Sequence, residues 1–91
     1  MFKNKAGGGR NNIVGKEIAR LRKAVTPKMS QRMLADRCQL FGLDVDKNAI
    51  QRIESGQRFV TDIELLCLCK IFKVRAEDLL SAGEKDFLQD L

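Results

Sequence analysis

The chain has 91 residues, 44% of them hydrophobic and 32% charged, with five Phe and neither Trp nor Tyr. That length allows one small domain whose core is just adequate, with no ligand-sensing domain visible beside it. The net charge is +5 and histidine is absent, which removes the commonest general base and leaves a zinc site short of ligands.

Residues 1–10, MFKNKAGGGR, show no helical periodicity and hold three consecutive glycines, which predicts a flexible basic arm over 1–11. The stretch GGGRNNIVGK looks like a phosphate-binding loop but fails as one. Five residues separate Gly9 from Gly15 where four are needed, Glu17 stands where Ser or Thr would hold magnesium, and no strand precedes it. Asn12 is expected to cap a first helix running to about Val25, with Val14, Ile18, Leu21 and Val25 as its buried stripe.

Thr26-Pro27-Lys28 ends that helix, and Ser30 is a good N-cap for a second, with Leu34, Ala35, Cys38 and Phe41 on one face and Gly42 as its stop. A third short helix is expected behind Asp46, ending near Ser55-Gly56. Thr61 and Glu64 make a T-x-x-E capping box that opens a fourth helix through Phe72. That helix is apolar over most of its circumference, which places it at the centre of a bundle or under a second subunit. A fifth helix spans Ala76 to Ala82, with Glu77 and Asp78 at the positive end of its dipole. Gly83 then opens a short tail over 83–91, in which Phe87, Leu88 and Leu91 make one more apolar turn or a frayed end.

No secretory h-region opens the chain, and no apolar run approaches the ~20 residues of a membrane span, so a soluble cytoplasmic protein is expected. The three cysteines are odd in number and form no C-x-x-C, which reads as free thiols used as small core residues. Charge is unevenly placed. Residues 1–58 hold thirteen Lys/Arg against five Asp/Glu, a net of +8, whereas residues 59–91 hold four against seven, a net of −3. A basic end of this kind suits a polyanion, nucleic acid first and an anionic membrane second.

The segment DVDKNAIQRIESG, residues 44–56, admits two chemistries. Its spaced acids resemble the start of a calcium loop, but Ala49 occupies the position that needs glycine. Ser55 stands where the closing Glu belongs, and Glu54 comes one residue early. Wound as a helix, the same residues put Ala49, Ile50 and Ile53 on one side and Lys47, Asn48, Gln51 and Arg52 on the other. An ordinary solvated face would look alike. Yet Asn and Gln are the side chains that fork onto adenine, and Lys and Arg those that reach guanine. Glu54 lies beside the apolar stripe, where a carboxylate needs a partner.

Three segments together carry a family resemblance: S-Q-R-M-L-A (30–35), A-I-Q-R-I-E-S-G (49–56) and T-D-I-E-L-L-C-L-C-K-I-F-K-V-R-A-E-D-L-L (61–80). Over residues 13–80 the chain resembles the phage-repressor and Cro-like helix-turn-helix regulators, the XRE family. The resemblance implies an all-α, compact five-helix lambda-repressor-like domain over 12–82. Its third helix would enter the DNA major groove with Lys47, Asn48, Gln51 and Arg52 at the bases. Ser30, Gln31 and Arg32 at the start of the second helix would meet the DNA backbone. Ser55, Gly56, Gln57 and Arg58 after the third helix would do the same through backbone N–H groups and a basic side chain. The resemblance also pairs Arg22 with Glu54 as a structural ion pair. Three departures stand out. The stretch from Ala35 to Ile50 is several residues longer than usual, the first interhelix turn with Thr26-Pro27-Lys28 is slightly long, and Arg75 replaces a customary capping Ser.

The expected function is therefore sequence-specific binding of double-stranded DNA as a transcriptional regulator, a repressor first, working as a homodimer on an inverted repeat. The fourth and fifth helices and the tail are candidates for the dimer surface. The alternative is a protein-interaction module on the same fold, such as an antitoxin or anti-repressor. RNA or non-specific binding is disfavoured because no aromatic residue is interleaved with the basic ones. No nucleophile–base pair can be assembled from these residues, so neither an enzyme nor a metal, cofactor or small-molecule ligand is expected.

Overall fold

The computed structural model describes residues 9–88, with side chains described as far as Glu84. Five helices follow one another: α1 Gly15–Ala24, α2 Gln31–Leu40, α3 Lys47–Ser55, α4 Asp62–Phe72 and α5 Ala76–Leu88. No strand occurs among the described residues. The arm over residues 1–8, the side chains of Phe87 and Leu88, and Leu91 lie outside the description.

Local chemistry sets most of the helix ends. The Ser30 hydroxyl accepts from Met33 N–H at 3.1 Å, and the Asp46 carboxylate accepts from Ala49 N–H at 2.8 Å. Thr61 and Glu64 complete both halves of their capping box. At the other ends, Gly42 and Gly56 take φ of +86° and +84°, conformations that cost a side chain but not glycine. Around each, two reversed hydrogen bonds close the last turn: Leu43 N–H to the Cys38 carbonyl and Gly42 N–H to Gln39, then Gln57 N–H to Arg52 and Gly56 N–H to Ile53.

The core is built from one face of each helix: Ile18 of α1, Leu34, Ala35 and Cys38 of α2, Ala49, Ile50 and Ile53 of α3, Cys67, Leu68 and Cys69 of α4, and Leu79 of α5. Helix α3 packs against α2 and α1, while α5 closes against α1 and α4. Burying a side chain of this kind contributes about 1.5–3 kcal/mol, so the core outweighs any single polar contact. No helix among the described residues is long and apolar enough to cross a membrane.

Four expectations are corrected. Helix α1 begins at Gly15 with Val14, which offers no side-chain cap, in the N-cap position. Asn12, two residues further back, still accepts from Gly15 N–H, but its amide is spent on the end of α3. Phe41 is not on the buried face of α2 but 54% exposed, since the chain leaves the helix at that residue. Val45, in the following connection, is buried in the core. Of the two places expected for helix α4, the centre of the bundle is ruled out, since Ile63 and Leu66 are exposed, while cover by a second subunit stays open.

The fourth correction concerns Gly83, which does not stop α5; the helix runs through it to Leu88. Gly83 is buried, and a Cβ there would run into the carbonyl of Ile13. Glycine is used at this position for a close backbone approach rather than for a turn. The start of α5 has its own device in place of the missing Ser: Arg75 N–H donates to the Asp78 carboxylate at 3.2 Å.

Candidate nucleic-acid interface

Helix α3 has two distinct sides. Ala49, Ile50 and Ile53 are buried, while Lys47, Asn48, Gln51 and Arg52 are exposed. None of these four side chains has a hydrogen bond or ion pair among the described residues. Near its start α3 borders a shallow groove against α2, lined by Arg32, Asp36 and Gln39 on one side and Asp46, Lys47 and Asn48 on the other. Two cations and two carboxylates meet there, so the groove itself carries little net charge. Asp46 is also engaged as the α3 cap.

Behind this face lies a polar network that ties three helices. Arg22 donates to both carboxylate oxygens of Glu54, from Nε at 2.7 Å and from Nη2 at 3.0 Å, and from Nη1 to the Met29 carbonyl at 3.0 Å. Both partners are nearly sealed from solvent, with side-chain exposures of 8% and 9%. Glu54 holds the Arg22 guanidinium above its ordinary pKa despite the opposing effect of burial. Gln31 joins the network by donating its amide to Glu54 Oε1 at 2.9 Å. The side chain expected on a DNA backbone is thus turned inward in the protein alone, with one of its amide hydrogens committed.

The loop after α3 also differs from the expectation. The N–H groups of Gly56, Gln57 and Arg58 are all donated back into the helix, to the carbonyls of Ile53 and Arg52. Arg58 is not a free cation either. Its Nη1 and Nη2 each donate to the Glu64 carboxylate at 2.9 Å. What remains outward is the exposed Gln57 side chain and Ser55, whose hydroxyl donates to the Arg52 carbonyl at 3.3 Å. At the start of α2, Ser30 and Arg32 are exposed.

Residues 10–12 are the group that sequence reasoning missed. Asn12 is buried, accepts from Gly15 N–H at 2.8 Å, and donates to the carbonyls of Ile53 at 3.0 Å and Arg58 at 2.8 Å. Asn11 donates from its backbone to Gly56 at 2.7 Å and from its side chain to Gln57 at 2.8 Å. Arg10 Nη2 donates to the Glu54 carbonyl at 3.0 Å. Three consecutive residues therefore donate to two carbonyls in the last turn of α3, where a helix leaves its acceptors unpaired, and to three in the loop that follows. The only local signal was the unusual density of Gly and Asn around position 12, which also fits a cap or a loop.

Glu64 makes a testable titration. Its burial pushes the carboxyl up, but Arg58 and the Thr61 N–H outweigh that and hold it below its ordinary value. A group with a depressed folded-state pKa contributes stability that is complete above the unfolded value and is lost as pH falls through the folded one. Glu64→Gln should therefore flatten the acid limb of the stability curve, read as urea midpoints at descending pH. An acid limb as steep as the wild type's would show that this cluster carries none of it.

The thiols belong to the core. Burial, with the adjacent Cys67 thiol, pushes Cys38 up to about 12, and burial likewise raises Cys67 and Cys69. Thiols held protonated in this way are poor nucleophiles at neutral pH. No cluster of His, Cys, Asp or Glu suited to a metal occurs among the described residues. No protein-family model, curated protein or solved structure matches the chain.

Proposed function

We propose that this protein is a sequence-specific duplex-DNA binder of the lambda-repressor-like helix-turn-helix type, acting as a transcriptional regulator, with repression as its simplest mode. One observation carries the reading. Helix α3 is fixed from behind by core and by a sealed ion pair, while Lys47, Asn48, Gln51 and Arg52 on its front leave all their donors open. A solvated face needs no such fixing. A face that reads base edges does, because a bidentate hydrogen bond tolerates little displacement.

In this reading Lys47, Asn48 and Gln51 contact bases, and Arg52 flanks them. Ser30 and Arg32, at the start of α2, meet one strand's phosphates, and Ser55 and Gln57 lie along the backbone beyond α3. Gln31 would release or share Glu54 to reach a phosphate with its second amide hydrogen. The lengthened chain between Ala35 and Ile50 is accommodated by the last turn of α2 and the connection over 41–46.

A domain of this size spans few base pairs, so two copies on an inverted repeat are proposed, with half-sites roughly 34 Å or a multiple apart. Phe59, Ile63 and Leu66, each more than half exposed, are the apolar residues offered for that contact. The same residues support the second reading, an antitoxin or anti-repressor whose main partner is another protein.

The experiment is a titration of the protein against DNA from upstream of its own coding sequence and against a shuffled duplex, at two salt concentrations. Preference for the native fragment that survives added salt, and that drops in Gln51→Ala and Lys47→Ala by about 1–3 kcal/mol each, is the expected result. Absence of binding to either duplex would remove the DNA reading and leave the protein-partner one.

A further inference from the structure

The loop after α3 lies where a DNA backbone would pass, yet its own cation and its own N–H groups are engaged within the chain. Arg58 is held by both carboxylate oxygens of Glu64, and the N–H groups of Gly56, Gln57 and Arg58 point back into α3. A polyanion approaching there would also meet the negative end of the helix dipole, worth roughly half an elementary charge. Something must supply positive charge at this end.

We propose that Arg10 is the phosphate-contacting cation at the C-terminal end of α3, an assignment that rests on the DNA reading above. Its side chain runs across Gly56: a Cβ on that glycine would meet Arg10 Cζ at 2.7 Å and both Cγ and Nε at 2.8 Å. Nη2 is anchored on the Glu54 carbonyl at 3.0 Å, and Nε lies 3.4 Å from the Asn12 carbonyl. An arginine carries five N–H donors. The other three of Arg10 have no partner among the described residues, and the residue is only partly buried.

Asn11 and Asn12 hold the seat in place from the same segment, through Gly56, Gln57, Ile53 and Arg58. Arg10 therefore does two things that Arg58 cannot. It offsets the carbonyl end of α3, and it presents a planar set of donors that suits a phosphodiester. Arg32 at the start of α2 stands near the other end of α3, so the base-facing helix is bracketed by two arginines.

The test compares the salt dependence of duplex binding for wild type, Arg10→Ala, Arg10→Gln, Arg10→Lys and Arg58→Ala, each checked by thermal melting for folding. Each neutralised phosphate contributes about 0.9 to the slope of log affinity against log salt. The slope is expected to fall by about one in Arg10→Ala and in Arg10→Gln, which loses the charge and keeps a shorter polar side chain with an N–H donor. Arg10→Lys should restore it. A role in folding alone would lower the melting temperature without moving the slope. An unchanged slope in both neutral variants, or a fall confined to Arg58→Ala, overturns the assignment while leaving the DNA reading intact. No duplex binding by the wild type at low salt overturns both.

Discussion

Glu54→Ala is expected to destabilise the protein by about 3–5 kcal/mol, because it strands a buried guanidinium. Arg22 would keep one contact, to the Met29 carbonyl, and lose two hydrogen bonds to a carboxylate. Removing one member of a sealed pair costs far more than the pair itself contributes, since the charge left behind stays out of water. Small domains of this kind have only about 5–15 kcal/mol in total. Urea unfolding monitored by circular dichroism would read the loss directly. The double replacement Arg22→Met with Glu54→Leu should recover most of it, because two apolar side chains leave no charge to desolvate. A single variant as stable as the wild type would mean that water reaches Arg22 and that the pair does not fix α3.

Asn12→Ala is expected to cost about 2–4 kcal/mol, since each buried group left without a partner costs about 1–3 kcal/mol. Two such groups are involved, Gly15 N–H and the carbonyl of Arg58, while the Ile53 carbonyl keeps the Gly56 N–H as a donor. Arg58 is only part-buried, so water can soften its share. Asn12→Asp separates this account from a simple helix cap. As caps, Asn and Asp are nearly equivalent. Among the bonds that tie Asn12 to the end of α3, aspartate keeps the one from Gly15 but sets a carboxylate oxygen against two carbonyls. The aspartate variant should therefore melt well below the wild type, by roughly 10 °C or more at about 4–8 °C per kcal/mol. Equal melting temperatures for Asn12→Asp and wild type would reduce Asn12 to a cap.

Sequence was informative where an interaction is local. Ser30, Asp46 and the Thr61–Glu64 box act within three residues of themselves, so their roles follow from local spacing alone. The two-sided pattern of α3 is equally local, and its buried triad and polar front are where the periodicity puts them. Asn12 and Gly83 were misjudged for one physical reason. Asparagine caps helices and glycine ends them, but here each is chosen by a neighbour distant in sequence, the end of α3 and the carbonyl of Ile13. Phe41 failed differently: helical spacing carried one residue past the point where Gly42 turns the chain.

The site divides along the same line. The open donors on α3 were legible because they need no partner within the chain. Gln31 and Arg58 were assigned outward on resemblance, and their inward partners, Glu54 and Glu64, lie 23 and 6 residues away. Arg10 was passed over because an arginine after three glycines reads as part of a flexible arm. Only the fold brings it onto Gly56.

Selection from a random duplex library, with sequencing of the bound fraction, tests the central claim most directly because it presumes no operator. The account predicts enrichment of an inverted repeat whose half-sites are centred about one helical turn, or a multiple of it, apart. It also predicts that the enriched positions change or lose definition with Gln51→Ala. A bound fraction with no sequence in common, or an enriched site indifferent to every change at Lys47, Asn48 and Gln51, would contradict it.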